Sequence, residues 1–429
     1  MRFIADFHVH SHYSRATSKE MNVVSLTKWG QLKGIQVIGT GDFTHPRWFE
    51  EMQMKLEPAE SGLFRLKKDY EDEIATQIPQ SCRNPMRFLL TVEISMIYKK
   101  NGRVRKMHAI LMMPSFEAAG RMNAELQKIG NLKSDGRPIL GLDAKKLLEI
   151  LLRVAPDGLF IPAHVWTPHF SVFGSQSGFD TLEEAFEELT PHIYALETGL
   201  SSDPAMNGRL SALDHLALLS NSDAHSAQKL GREANVFNTE LSYDAIRKAI
   251  CTNDKAAFES TIEFFPEEGK YHLDGHRDCK VRLAPEETKK LNLLCPKCGK
   301  KVTVGVLHRV NDLADRAVGQ RPHGARPFRS IIPLPEIIGE VEQLGVQSKK
   351  VNGIYHQLLE NLGDEFSILL KVPLSDIEKV SSPLLAEALR RVREGKVHIA
   401  GGYDGEFGTI QIFEREERAR FSGKQEIFF

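Results

Sequence analysis

Four apolar, strand-like runs in this chain are each followed at once by residues that divalent metals favour. This repeat constrains the fold more than any other feature. Arg2-Phe3-Ile4-Ala5-Asp6-Phe7 leads to His8 and His10, and Gln36-Val37-Ile38-Gly39-Thr40-Gly41 leads to Asp42 and His45. Leu159-Phe160-Ile161-Pro162-Ala163 leads to His164, and Leu216-Ala217-Leu218-Leu219-Ser220 leads to Asp223 and His225. In a β/α barrel, side chains at the C-terminal ends of different strands converge at one mouth. Residues more than 200 positions apart can then share a site.

Strand-like and helix-like segments alternate through residues 1–265, the pattern of a βα architecture. Asn22 is placed to cap a helix running to Lys33, with Gly34 ending it. Residues 63–77, 143–155 and 181–189 read as helices, and Lys106 to Met112 reads as a strand containing His108. Phe88-Leu89-Leu90-Thr91-Val92 and Ile193-Tyr194-Ala195-Leu196 are strands ending at Glu93 and Glu197. The alternation stops near Phe265-Pro266-Glu267-Glu268-Gly269, a linker by composition. Residues 266–307 form a small cysteine-bearing module, and residues 308–429 read as mainly helical. Helices are expected over 312–319, 335–344, 353–363 and 384–394, then a hairpin whose turn is Gly401-Gly402-Tyr403-Asp404-Gly405.

At 429 residues, two or three domains are expected. No charged-then-apolar leader opens the chain and no run approaches a membrane span, so a cytoplasmic protein without a membrane partner is expected. The formal net charge is −1, yet Lys270 to Ser330 holds 14 Lys or Arg against 6 Asp or Glu. Such a patch attracts a phosphate backbone or forms a solvated surface.

His8-Val9-His10 places two imidazoles on one side of an extended chain, because strand side chains alternate. Asp223-Ala224-His225 repeats the device with a carboxylate first. Mixed imidazole and carboxylate ligands suit zinc, manganese or iron better than calcium. Asp42, Glu197 and Asp223 are the candidate catalytic carboxylates. His12 and His169 are less well placed, and His192, His215 and His272 have no comparable setting.

His276-x-x-Cys279 and Cys295-x-x-Cys298 form two ligand pairs separated by 15 residues, which suits a closed tetrahedral zinc site. His272 is the alternative fourth ligand, and a redox pair is the competing use of the cysteines.

The ordered fragments Asp6-Phe7-His8-Val9-His10, Gly41-Asp42, Thr91-Val92-Glu93, His108, Ala163-His164 and Ser222-Asp223-Ala224-His225 resemble the PHP superfamily of phosphoesterases. That resemblance implies a distorted (β/α)7 barrel holding two or three divalent ions, zinc foremost, with manganese, magnesium or iron as alternatives. It also implies that His8, His10, Glu93 and Asp223 surround one ion, that Glu93 bridges to a second held by His108 and His164, and that His225 faces a third. One departure stands out: Phe43 follows Asp42 where the superfamily usually has histidine, leaving His45 to take that role or the third ion to be bound differently.

Over nearly its whole length the chain resembles the endonuclease Q family, including Leu196-Glu197-Thr198-Gly199-Leu200-Ser201 and Gly305-Val306-Leu307-His308-Arg309-Val310. The resemblance implies a DNA repair nuclease that cuts 5′ to uracil, hypoxanthine, xanthine or an abasic site, leaving 3′-hydroxyl and 5′-phosphate ends. Selecting such a base requires taking it out of the stack, and Trp166, Phe170 and Phe173 are candidates to hold it, or else core residues beneath their loop. Gln425, Ile427, Phe428 and Phe429 resemble a short peptide that docks on a replication sliding clamp, or pack back onto the C-terminal domain. Two rivals are a small-molecule or nucleotide phosphatase of the same superfamily and a non-catalytic DNA-binding scaffold.

Overall fold

A computed structural model describes residues 1–414 together with Glu417 and Arg418. Residues 425–429, the proposed clamp peptide, lie outside the described residues.

Among the described residues, seven strands form a closed, irregular ring. Arg2–Asp6, Val37–Gly39 and Arg87–Lys100 run parallel, Arg103–Met113 is antiparallel to the last of these, and Leu159–Pro162 is antiparallel to Arg103–Met113. Ala195–Glu197 and Ala217–Leu219 form a separate parallel pair. The ring closes just beyond the strand ends. Val165 N–H donates to the Glu197 carbonyl at 3.1 Å, and His10 N–H donates to the Ala224 carbonyl at 3.0 Å. This is the distorted barrel that the sequence predicts.

The barrel is filled by alternate residues, as a closed sheet requires. Phe3, Ala5 and Phe7, then Leu89, Ile110 and Met112, Leu159, Ile161 and Ala163, and Ala195, Ala217 and Leu219 share one inner cluster. The helix Tyr243–Cys251 adds Tyr243, Ile246 and Ile250 to that same cluster. Tyr243 Oη donates to the carbonyls of Met112 and Asp157.

The helix Val23–Lys33 forms as expected: Asn22 Oδ1 accepts from the N–H groups of Val24 and Ser25, and Gly34 ends it at φ 84°. Residues 63–77 differ from expectation. Phe64–Leu66 pairs with Leu56–Pro58 and Arg87–Lys100 as a strand, and only Lys68–Ala75 is helical. Burying Phe64 and Leu66 on either side of exposed Arg65 is a period of two, and sheet pairing overrides the charged, helix-like composition. The helix expected over 312–319 instead spans Val306–Leu313.

The module hairpin pairs Asp274–His276 with Val281–Leu283 over a small core of Val281, Leu283, Cys295 and Val302. From the first strand the sheet also continues away from the ring: Ala234–Asn238 pairs antiparallel with Arg2–Asp6, Phe258–Glu263 pairs antiparallel with Ala234–Asn238, and Phe328–Ser330 joins Phe258–Glu263 as a parallel edge strand. Helices Leu334–Glu342, Lys349–Leu362, Glu365–Leu370, Leu374–Val380 and Pro383–Arg393 follow. They share a continuous core with the outer shell of the barrel. Lys33 and Glu365 form a buried ion pair at 2.7 Å across that contact. The expected final hairpin pairs His398–Ala400 with Thr409–Gln411, and its turn packs against the module through Leu273, Gly275 and Arg277. Among the described residues, no helix is long and apolar enough to cross a membrane.

Candidate metal centre

The barrel mouth brings two ligand sets together around one buried carboxylate. It draws on the segments just after Arg2–Asp6, Leu159–Pro162 and Ala217–Leu219 and on the interiors of the long strands Arg87–Lys100 and Arg103–Met113. His8, His10 and Asp223 form one set, and Glu93, His108 and His164 the other, with the ligand atoms of each set within 4.8 Å of one another. Glu93 faces both. Its Oε1 is 2.6 Å from His108 Nδ1 and 2.9 Å from His164 Nε2, while its Oε2 is 3.4 Å from His10 Nε2 and 3.6 Å from His8 Nε2. Asp223 Oδ1 lies 3.1 Å from His10 Nε2 and 3.6 Å from His8 Nε2.

How His8 and His10 come to share this mouth departs from simple alternation. Phe7 packs inside the barrel with Phe3 and Ala5, but Val9 packs in the outer core. The alternation therefore slips by one after the strand ends at Asp6, and the imidazoles escape the outward parity that Asp6 would give them. Asp42, His164 and Asp223 each sit at positive φ, 51°, 29° and 47°. Left-handed backbone at non-glycine residues is held only where the surroundings over-determine it, and it concentrates at functional sites. At His164 the neighbour is also constrained: a Cβ on Gly199 would stand 2.4 Å from His164 Cβ.

Asp42 and Glu197 stand behind the histidines. Asp42 Oδ1 is 3.1 Å from His10 Nδ1, and its other oxygen accepts from Ser11 N, Ser11 Oγ and Ser14 Oγ at 2.6–2.9 Å. Glu197 is 3.0 Å from His8 Nδ1 and accepts from His164 N–H and Asn221 Nδ2. A carboxylate on the far ring nitrogen fixes tautomer and orientation, the usual outer support of a metal-binding histidine.

The donor set fits divalent metal. His8 Nε2, His10 Nε2 and Asp223 Oδ1 are buried without any hydrogen-bond partner, and all three converge. The field there favours positive charge. Burial opposes charging His8, but Glu197, Asp223 and Glu93 outweigh it and raise its pKa well above the ordinary imidazole value. His10 is raised likewise against burial, by Asp42, Asp223 and Glu93. Burial would push Glu93 up, yet His108 and His8 hold it well below the carboxylate range.

Other expected residues lie elsewhere. His225 is half-buried, its ring centroid 4.5 Å from that of His10 and its Nδ1 2.9 Å from the Asp223 carbonyl. His45 belongs to neither set: it starts the helix Pro46–Lys55 and stacks on Tyr13 at 4.2 Å, and burial lowers its pKa. Trp166 and Phe173 are core residues packed together at 5.0 Å, and Trp166 Nε1 donates to Asn207. Phe170 alone of the three aromatics borders the mouth. It is half-buried, at φ 61°, 4.7 Å from the His108 ring. Sequence reading missed Arg137, whose guanidinium reaches Glu93. It lies in a turn-like stretch and is not a metal-ligand type, so no pattern marked it.

In the module, His276, Cys279, Cys295 and Cys298 converge with ligand atoms within 4.8 Å, and Cys298 Sγ is 3.7 Å from His276 Nδ1. Gly299, at φ 70°, turns the knuckle after Cys298. His272 stands outside this group, buried, with its pKa lowered by burial to about 4. Three thiols and one imidazole suit a closed zinc site.

Residues 333–396 match the family model described as the MJ0043 C-terminal domain. The protein MJ0043 of Methanocaldococcus jannaschii is 33% identical over 255 residues, 58% of this chain and 31% of that protein, so the chain spans only about a third of that relative's length. Fold and site together define a PHP-type barrel whose mouth gathers two ligand sets suited to divalent metal. The structure of the lesion-specific endonuclease PfuEndoQ from Pyrococcus furiosus superposes with a TM-score of 0.84 at 30% identity, covering 100% of both chains. An endonuclease Q complexed with a 27-mer duplex bearing an abasic lesion at the active site superposes with a TM-score of 0.82 at 30% identity, again over 100% of both. The chain belongs to the endonuclease Q family.

Proposed function

We propose that this protein is a metal-dependent endodeoxyribonuclease that hydrolyses DNA at damaged nucleotides, cutting 5′ to an abasic site or to deaminated uracil, hypoxanthine or xanthine. The observation that carries the reading is Glu93, one buried carboxylate shared by two converging ligand sets at the barrel mouth. The relation to a lesion-specific endonuclease and to a complex with abasic DNA supports the choice of substrate.

In this reading His8, His10 and Asp223 would hold one ion and Glu93, His108 and His164 another, with Glu93 facing both sets. Zinc is the first choice for these ligands, with manganese, magnesium or iron as alternatives. When bound, such ions make water acidic enough to attack near neutral pH and neutralise charge on phosphoryl oxygens. The protein's part is to aim and support the ligands. Asp42 and Glu197 keep His10 and His8 turned with Nε2 towards Glu93 and Asp223. Phe170, beside His108 at the rim, offers an aromatic face to an unstacked base. Exposed Arg277, Lys280, Lys297, Lys300 and Lys301 on the zinc module would meet phosphates along the flanking duplex.

Duplexes carrying one uracil, hypoxanthine, xanthine or abasic site provide the test. Sized products should end at the nucleotide before the lesion, with 3′-hydroxyl and 5′-phosphate termini. Phe170→Ala should blunt the preference for lesions. Hydrolysis of a small phosphomonoester, with every lesion duplex left intact, would instead identify a phosphatase. For residues 425–429, removal should abolish binding to a sliding clamp and spare cleavage of short duplexes; lost cleavage would favour packing onto the protein.

A further inference from the structure

The loop that leads into the short strand Ile139–Leu140 carries a cation to the metal ligands, and the chemistry above leaves it unused. Arg137 Nη1 lies 3.0 Å from Glu93 Oε2, the oxygen that also faces His8 and His10. Glu93, His8 and His10 are 0–2% exposed at their side chains, whereas Arg137 keeps 29%. The guanidinium is therefore a solvent-facing wall of the cluster. Burial works against its charge, but Glu93, Asp223 and Asp135 outweigh burial and raise its pKa.

Its placement is fixed from both sides. A Cβ on Gly136 would stand 2.3 Å from Asp42 Oδ2 and 2.5 Å from Ser14 Oγ, so only glycine lets the loop sit this close to the His10 support. Gly136 N–H donates to the Tyr13 carbonyl, and Arg137 N–H donates to Asp135 Oδ1 at 3.1 Å. On the other side the Pro138 carbonyl accepts from Ser95 N–H, and Ile139–Leu140 pairs with Ser95 and Met96 on the strand that carries Glu93. The loop is thus clamped to the same elements that hold the ligands.

A guanidinium fixed beside divalent ions is repelled unless an anion lies between them. Glu93 would keep a lone pair for Arg137 even as a metal ligand. The other guanidinium N–H groups, on a side chain 29% exposed, and the cation's charge beside the cluster are left to be answered. A phosphodiester answers both needs: it is anionic, and its two non-bridging oxygens match the planar fork of arginine. We infer that Arg137 is a phosphate-binding residue that grips a non-bridging oxygen of the scissile phosphodiester and retains the 5′-phosphate after the cut. This rests on the endonuclease reading above.

The test uses metal-loaded wild-type protein and the Arg137→Gln and Arg137→Lys variants. The probe is a nicked duplex whose abasic nucleotide carries either a 5′-phosphate or a 5′-hydroxyl, so that affinity is read without turnover. Wild type should bind the phosphorylated nick about tenfold more tightly, the scale of a lost hydrogen bond to a charged group. Arg137→Gln should lose that preference, Arg137→Lys should keep part of it, and both should retain wild-type metal content. On intact abasic duplex, kcat for Arg137→Gln should fall by about a hundredfold, the scale of one lost transition-state donor. A preserved phosphate preference in Arg137→Gln overturns the inference. So does loss of the barrel metals, which would make Arg137 a mere support of Glu93. A wild type indifferent to the phosphate also overturns it, and cleavage of intact abasic duplex by that same preparation would show the endonuclease reading surviving alone.

Discussion

Single residues in this protein carry unusual electrostatic loads, and not all of them belong to the metal centre. Glu263 is fully buried, accepts from Ser220 Oγ at 2.9 Å and Thr198 Oγ1 at 3.3 Å, and lies near the equally buried Glu233. Burial outweighs those hydrogen bonds and lifts its carboxyl from the ordinary 4.5 to about 8. The folded state therefore holds a proton that the unfolded chain has released, and stability falls as pH rises through that window. Glu263→Gln cannot ionise. Its melting temperature relative to wild type should rise steadily from pH 5 to pH 8; a difference that stays constant with pH would contradict the assignment. Among the site residues, ligand type and strand-end position made His8, His10, His164 and Asp223 legible in sequence. Glu93 reads as a strand end but lies inside Arg87–Lys100, and His108, inside Arg103–Met113, was marked by the superfamily resemblance. The left-handed backbone of Asp42, His164 and Asp223 was not legible, because it is imposed by neighbours distant in sequence.

At the scale of elements, local signals and tertiary pairing divide the outcome. The cap at Asn22 and the stop at Gly34 were readable because both act within one turn. The strand Phe64–Leu66 was not, since its partners are supplied by the rest of the sheet. The slip between Phe7 and Val9 likewise depends on the closure at Ala224, so the His-x-His pattern indicated the right residues by an incomplete geometric argument. In the cysteine module, spacing pointed to four side chains that the fold brings together. His276 ends the first strand of the hairpin and Cys279 lies in its turn, and Cys295 and Cys298 form a knuckle that meets them. With so small a core, the module is expected to depend on a bound metal to stay folded. Cys295→Ser should lose about one zinc per chain, weaken salt-dependent DNA binding and leave the barrel ions in place. Unchanged zinc content would remove the metal from this account.

Across the whole molecule, the barrel mouth gathers chemistry from segments more than 200 residues apart, while the later segments fold back upon the barrel. Phe328–Ser330 extends the barrel's sheet edge, Lys33 and Glu365 pair at 2.7 Å under the helical region, and the final hairpin turn rests on the zinc module. Helix periodicity made the helical region legible, but neither its docking nor the added strand, because both depend on surfaces that meet only after folding. The central claim is that Glu93 joins two metal positions into one hydrolytic site. Metal content and cleavage of an abasic duplex, measured together on Glu93→Gln, test it most directly. The account predicts that barrel metal is lost, that the cysteine-bound zinc remains, and that cleavage falls by at least about a hundredfold, beyond what loss of an outer supporting group causes. A variant with wild-type barrel metal and wild-type cleavage would contradict it.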